Sequence, residues 1–228
     1  MSLSENIAAV KANIAAAERA AGRAPGSVTL LAATKTQSDR TIRAAIAAGI
    51  TVCGENRVQE LTAHLADFAY DGAAVHFIGH LQTNKVKYVV GRVELIQSVS
   101  SLKLLEAIEA QAAKLDLTQD ILLEVNIAGE ESKSGFAPGE VPQAARTAAA
   151  LGHVRLRGLM AIPPVSLRPG ETRPWFRAMR KLMVDIGGQL EDNRIDILSM
   201  GMSADYIDAV AEGATLVRVG SALFGPRA

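Results

Sequence analysis

Short apolar runs rich in Val, Ile and Leu recur along the chain at 28–33, 51–54, 75–78, 95–99, 121–127, 154–162, 195–200 and 216–219. Between most of them lie Ala-rich stretches whose apolar positions fall at helical spacing: 39–48, 58–68, 102–114, 141–151, 175–190 and 204–211. Strand and helix in alternation predict a parallel sheet with helices packed on it. The punctuation agrees, with Ser38 and Ser101 placed as N-caps and Gly49 and Gly213 placed just past helix ends. Ahead of the first strand, Ile7, Val10, Ile14 and Ala17 repeat at helical spacing among Glu5, Lys11, Glu18 and Arg19, which predicts an additional surface helix.

Eight strands joined this way either close into a barrel or stay open as a doubly wound sheet. No Gly-x-Gly-x-x-Gly follows the first strand, so the dinucleotide fingerprint of the open sheet is missing. The expected fold is therefore a single-domain (β/α)8 TIM-type barrel over 1–228 with an extra N-terminal helix. The Pro- and Gly-rich stretch 163–174 reads as one long loop after strand six, not a domain boundary.

Composition narrows the functional classes. Lys plus Arg and Asp plus Glu both number 24, so no global field favours nucleic acid or an anionic membrane, and a small ligand fits better. No run approaches the roughly 20 apolar residues of a membrane helix, and residues 1–23 lack a signal-peptide core, so a soluble, cytoplasmic protein is expected. The single Cys53 sits in an apolar run and reads as core packing. Four His without His-x-x-x-His or Cys-x-x-Cys spacing argue against zinc, and Ser203 and Ser221 lack the elbow of a hydrolase nucleophile.

In a barrel of this type chemistry gathers where strands run out into the following loops. Those positions hold Lys35, Glu55-Asn56-Arg57, His80, Asn126, Met202-Ser203 and Gly220-Ser221. Lys35 either snorkels from a strand end or, partly desolvated, offers an amine to an aldehyde. Gly201-Met202-Ser203 and Gly220-Ser221 place small residues and backbone N–H groups where barrels bind phosphate, although Ser203 also reads as an ordinary helix N-cap. Arg218, flanked by Leu216, Val217 and Val219, needs a partner: an ion pair inside the barrel or a ring nitrogen of a cofactor. Asn56 and His80 either cap loops or face a ligand. The run Glu130 to Gly135 reads as a solvated loop whose Lys133 could meet an anion, and Trp175 and Phe176 read as pinning a helix to the barrel.

Taken in order, Ala33-Thr34-Lys35-Thr36, Gly54-Glu55-Asn56-Arg57-Val58-Gln59-Glu60, His76-Phe77-Ile78-Gly79-His80-Leu81-Gln82, Ser132-Lys133-Ser134-Gly135-Phe136, Arg157-Gly158-Leu159-Met160 and Leu198-Ser199-Met200-Gly201-Met202-Ser203 closely resemble one family. It is the pyridoxal phosphate homeostasis, or YggS-like, family, and the match runs from Leu30 to Gly225. The resemblance implies the N-terminal barrel of alanine racemase without that enzyme's second domain, binding pyridoxal 5′-phosphate without convincing turnover. It further implies Lys35 as the Schiff-base lysine, with Met202, Ser203, Gly220 and Ser221 as the phosphate cradle. Arg218 would face the pyridine nitrogen, Asn56, His80 and Met160 would line the ring, and Lys133 would be a secondary contact. Many members carry Lys-Pro where this chain has Gln37-Ser38, a lost positive charge that bears on cofactor release.

The function so implied is sequestration and delivery of pyridoxal phosphate to apo-enzymes, with an influence on amino-acid and keto-acid balance, by a monomer. An amino-acid racemase of narrow specificity is the alternative, and a Schiff-base aldolase using Lys35 directly on a sugar phosphate is a third.

Overall fold

Strand register decides between the barrel and the open sheet. In the computed structural model, which describes residues 2–130, 132–164, 168–190 and 195–225, eight strands pair in parallel in sequence order and the last returns to the first. They are β1 (Thr29–Ala33), β2 (Val52–Glu55), β3 (Ala74–Phe77), β4 (Leu95–Val99), β5 (Gln119–Val125), β6 (Val154–Ala161), β7 (Ile197–Ser199) and β8 (Leu216–Val219). Closure is carried by β1 and β8, in register from Thr29 opposite Leu216 to Ala32 opposite Val219. The (β/α)8 barrel expected from the alternation is the fold.

The crossovers are α2 (Asp39–Ala47), α3 (Val58–Ala66), a 3-10 helix (Thr83–Tyr88), α4 (Leu102–Lys114), α5 (Val141–Ala149), α6 (Arg173–Gly187) and α7 (Tyr206–Ala211). Ser38 and Ser101 cap α2 and α4 by accepting from the N–H groups of Thr41 and Leu104. Gly49 at φ 94° and Gly213 at φ 102° take the left-handed conformation that ends α2 and α7. The last element among the described residues is α8 (Ser221–Phe224), a single turn that leaves its side of the barrel to be covered. The N-terminal helix α1 (Leu3–Ala20) supplies that cover, packing on α7, α8 and α2 and burying Ile7, Val10, Ile14 and Ala17.

Several expectations change. The helix read as starting at 204 starts at Tyr206, because Asp205 Oδ1 accepts from the Met202 N–H at 2.7 Å and holds the preceding residues in a turn. Ser203 is therefore not an N-cap; its hydroxyl is taken by amides from beyond β8. Strand seven is three residues long, where 195–200 is apolar enough to read as six. Within the loop 163–174, residues 165–167 lie outside the described residues, as does residue 131 in the loop after β5. Phe176 is buried and anchors α6, whereas Trp175 is 36% exposed and does not. No helix among the described residues is long and apolar enough to cross a membrane.

Inside the barrel, Leu31, Ala33 and Leu216 form one apolar cluster and Leu95, Leu122 and Met160 another, both touching Ile197. Polar side chains occupy the rest of this interior, and they lead up to the site.

Candidate functional site

A cavity of about 650 Å3 opens at the C-terminal ends of the strands. Lys35, Asn56, His80 and Lys133 reach it from the loops after β1, β2, β3 and β5. Met202, Ser203, Gly220 and Ser221 line it from beyond β7 and β8, and Arg218 from within β8. Met160 alone among the expected residues does not line it, being fully buried against Leu95 and Leu122.

Lys35 is presented by anchors on both sides. Thr34 Oγ1 donates to Glu55 Oε1 at 2.8 Å, and the Thr34 N–H donates to the Gly54 carbonyl at 2.9 Å, fixing the end of β1 to β2. Thr36 sits at φ 64° and donates its N–H to Glu60 Oε2 at 2.9 Å. Across the mouth, the Ser203 hydroxyl accepts from the N–H groups of Gly220 (3.1 Å) and Ala222 (3.2 Å), bringing the loops after β7 and β8 together. A Cβ on Gly220 would lie 3.5 Å from Ala33 Cβ, so this wall sits directly against the end of β1.

On the opposite side, His80 Nδ1 and Ser134 Oγ are 3.2 Å apart and tie the loops after β3 and β5. Asn126 organises the second of these through both ends of its amide: Oδ1 accepts from the Glu130 N–H and Nδ2 donates to the Glu130 carbonyl. Lys133 Nζ donates to Glu130 Oε1 and, at 3.3 Å, to the Ile162 carbonyl.

Arg218 has neutral partners. Nη1 donates to Ser199 Oγ at 2.6 Å and Nη2 to the Ala161 carbonyl at 3.0 Å. Burial pushes its pKa down to about 10, opposed by the charges of Glu124 and Asp205. Even so it stays protonated at neutral pH. The structural ion pair that the sequence left open is not what holds it.

Glu124, on β5, lines the same cavity and did not stand out in the sequence, where its only signal is a carboxylate inside an apolar run. Burial raises its pKa, while Arg218 and His80 act against the rise. Glu124 Oε2 and Asn56 Oδ1 are buried acceptors without a hydrogen-bond partner, both on side chains of the cavity wall. Cys53 lies elsewhere, fully buried, its thiol pushed up to about 12 by burial and unreactive. Among the described residues, no three His, Cys, Asp or Glu side chains gather to hold a metal ion.

Comparison with known proteins gives this geometry a context. The model of the alanine racemase N-terminal domain matches residues 6–228. A pyridoxal phosphate homeostasis protein of Aquifex aeolicus is 41% identical over 228 residues, spanning all of this chain and 99% of that one. Among solved structures, an unknown protein from Bifidobacterium adolescentis superposes with a TM-score of 0.91 at 40% identity, covering 97% of this chain and 94% of that one. PipY of Synechococcus elongatus, solved with pyridoxal phosphate bound, has a TM-score of 0.85 at 34% identity and covers 98% of this chain and 100% of that one.

Proposed function

The chain belongs to the pyridoxal phosphate homeostasis family, built on the alanine racemase N-terminal domain, and on that premise we propose that it binds pyridoxal 5′-phosphate in this cavity as a Schiff base on Lys35. The observation that carries the reading is the donor set. Lys35 and Arg218 bring positive charge to one cavity, and the Ser203 and Ser221 hydroxyls add hydrogen-bond donors. A small phosphorylated aldehyde needs all three: an amine for its carbonyl, donors for its phosphate, and a group for its ring nitrogen.

The roles divide by side of the cavity. Lys35 performs the covalent capture, positioned by Thr34 and Thr36. Ser203, held by the Gly220 and Ala222 amides, forms the phosphate wall with Met202, Gly220 and Ser221. Arg218 faces the pyridine nitrogen, Asn56 and His80 flank the ring, and Lys133 is a secondary cofactor contact. Met160 supports the floor from beneath. Bound there, the cofactor supplies an aldehyde that condenses with amines and can withdraw electrons from what it holds. A guanidinium at the ring nitrogen opposes protonation of that nitrogen and so weakens the withdrawal. Capture is favoured over turnover.

The reading carries with it a cytoplasmic monomer that sequesters cofactor and hands it to apo-enzymes, with effects on amino-acid and keto-acid balance. One observation favours the alternative of a narrow amino-acid racemase: Glu124 is a carboxyl with a raised pKa in the cavity wall, a group suited to moving a proton. Solvent-deuterium exchange at Cα across a panel of amino acids separates the two, since a carrier shows none above free cofactor. The test of capture itself is spectroscopic. Purified protein incubated with pyridoxal phosphate should develop the visible band of a protonated Schiff base, trapped on Lys35 by borohydride, and Lys35→Ala should lack it. Persistence of the band in that variant would refute the assignment.

A further inference from the structure

Below the cavity floor, a continuous run of buried polar side chains crosses the barrel interior from β8 to β3, and the capture chemistry uses only its first member. Arg218 Nη1 donates to Ser199 Oγ at 2.6 Å, Ser199 Oγ donates to Gln97 Oε1 at 2.6 Å, and Gln97 Nε2 lies 2.9 Å from His76 Nδ1. None of the four is more than 5% exposed. Four different strands therefore contribute to one line of hydrogen bonds in an interior otherwise filled by residues such as Leu95, Leu122 and Leu216.

The line has a direction. A guanidinium only donates, so Ser199 must accept from Arg218 and send its single proton to Gln97. The Gln97 amide is thereby set with its oxygen toward Ser199 and its nitrogen toward His76, whose Nδ1 must accept. A neutral imidazole with its proton on Nε2 meets that requirement, and burial pushes the His76 pKa down to about 4. Glu124 and Asp205 are the carboxyls whose charge reaches Arg218, yet neutral oxygens, those of Ser199 and Ala161, hold it. A carboxylate in the place of Ser199 would cancel much of the guanidinium charge and let a nearby ring nitrogen take a proton; a hydroxyl does not.

We propose that Ser199 and Gln97 are positioning residues that hold the Arg218 guanidinium in one orientation on neutral partners, with no carboxylate bonded to it, and so keep the ring nitrogen of the bound cofactor unprotonated. This rests on the reading of the cavity as a pyridoxal phosphate site. Neither residue lines the cavity, so their effect on a ligand passes through Arg218.

The test uses the full chain with Ser199→Ala, Gln97→Met and Ser199→Thr, the last retaining the hydroxyl. In the cofactor-free protein, 15N NMR should show the Arg218 Nη groups rotationally restrained in the parent and in Ser199→Thr, and averaged in the other two. After loading with pyridoxal phosphate labelled at the ring nitrogen, the 15N resonance should sit at the unprotonated position in the parent and move toward the protonated one in Ser199→Ala and Gln97→Met. If both signals match the parent in folded Ser199→Ala, the proposal is overturned; that variant removes one oxygen and decides the matter even if Gln97→Met does not fold. A parent protein that never forms the visible band overturns the site reading and the ring-nitrogen half with it, while the guanidinium signals still decide the positioning half.

Discussion

Thr36, at φ 64°, holds a left-handed conformation that costs a β-branched residue about 1–3 kcal/mol, and it does so immediately after Lys35. The Glu60 carboxylate that accepts its N–H is the visible compensation, since it sits 24% exposed on the adjacent helix and bonds at 2.9 Å. Strain next to the capturing lysine is consistent with a turn kept for where it aims that side chain. Thr36→Gly should relieve the strain while adding freedom to the unfolded chain, for a net gain of up to about 1 kcal/mol, read as a rise of roughly 2–4 °C in Tm. The same variant should bind pyridoxal phosphate more weakly in a spectroscopic titration, because Lys35 loses a fixed neighbour. Tighter binding together with higher stability would show that the turn does not serve capture.

At the scale of elements, β7 is the vulnerable strand. It has three residues, one register pair with β8 (Ser199 opposite Leu216) against three with β6, and backbone hydrogen bonds to the β8 side mostly from residues flanking it. Gly158 makes that possible: it faces Ile197 where β6 shifts register against β5, at φ 152°, and a Cβ there would lie 1.8 Å from the Ile197 carbonyl oxygen. Gly158→Ala should therefore cost at least about 3 kcal/mol, as overpacking against backbone that cannot move aside, measurable by urea unfolding. Cofactor capture should fall too, since β7 carries Ser199 and leads into Ser203. The strands and most helix ends were legible from periodicity and caps, because those signals are local, whereas their closed order rests on the pairing of β1 with β8. The sequence leaves Ser203 both a phosphate-binding and an N-cap reading, because its partners, the amides of Gly220 and Ala222, are 17 and 19 residues away and come close only when the barrel closes. Met160 and Glu124 were likewise a matter of register and depth: both lie in apolar runs, and only the closed barrel sends one beneath the floor and the other to the wall.

For the whole molecule, the interior line of polar groups couples stability to pH with a definite sign. His76 has its pKa pushed from 6.5 to about 4 by burial, with the Asp120 charge acting in the opposite sense. Between those two values the unfolded chain binds a proton that the folded one refuses, so stability falls as pH falls, by roughly 3 kcal/mol in all. Glu55, Glu124 and Asp205, each raised chiefly by burial, act oppositely: the folded protein takes up their protons first and gains stability as pH drops toward the ordinary carboxylate range. The total curve is thus flattened, and the His76 contribution must be isolated by difference. His76→Gln lacks the imidazole, so the unfolding free energy of the parent minus that of the variant should be level above about pH 7 and decline by roughly 3 kcal/mol toward pH 4. A level difference throughout would mean that folded His76 accepts a proton at its ordinary pKa. In that case Nδ1 could not be the fixed acceptor for Gln97, and the one-way line that starts on Arg218 would lose its final acceptor.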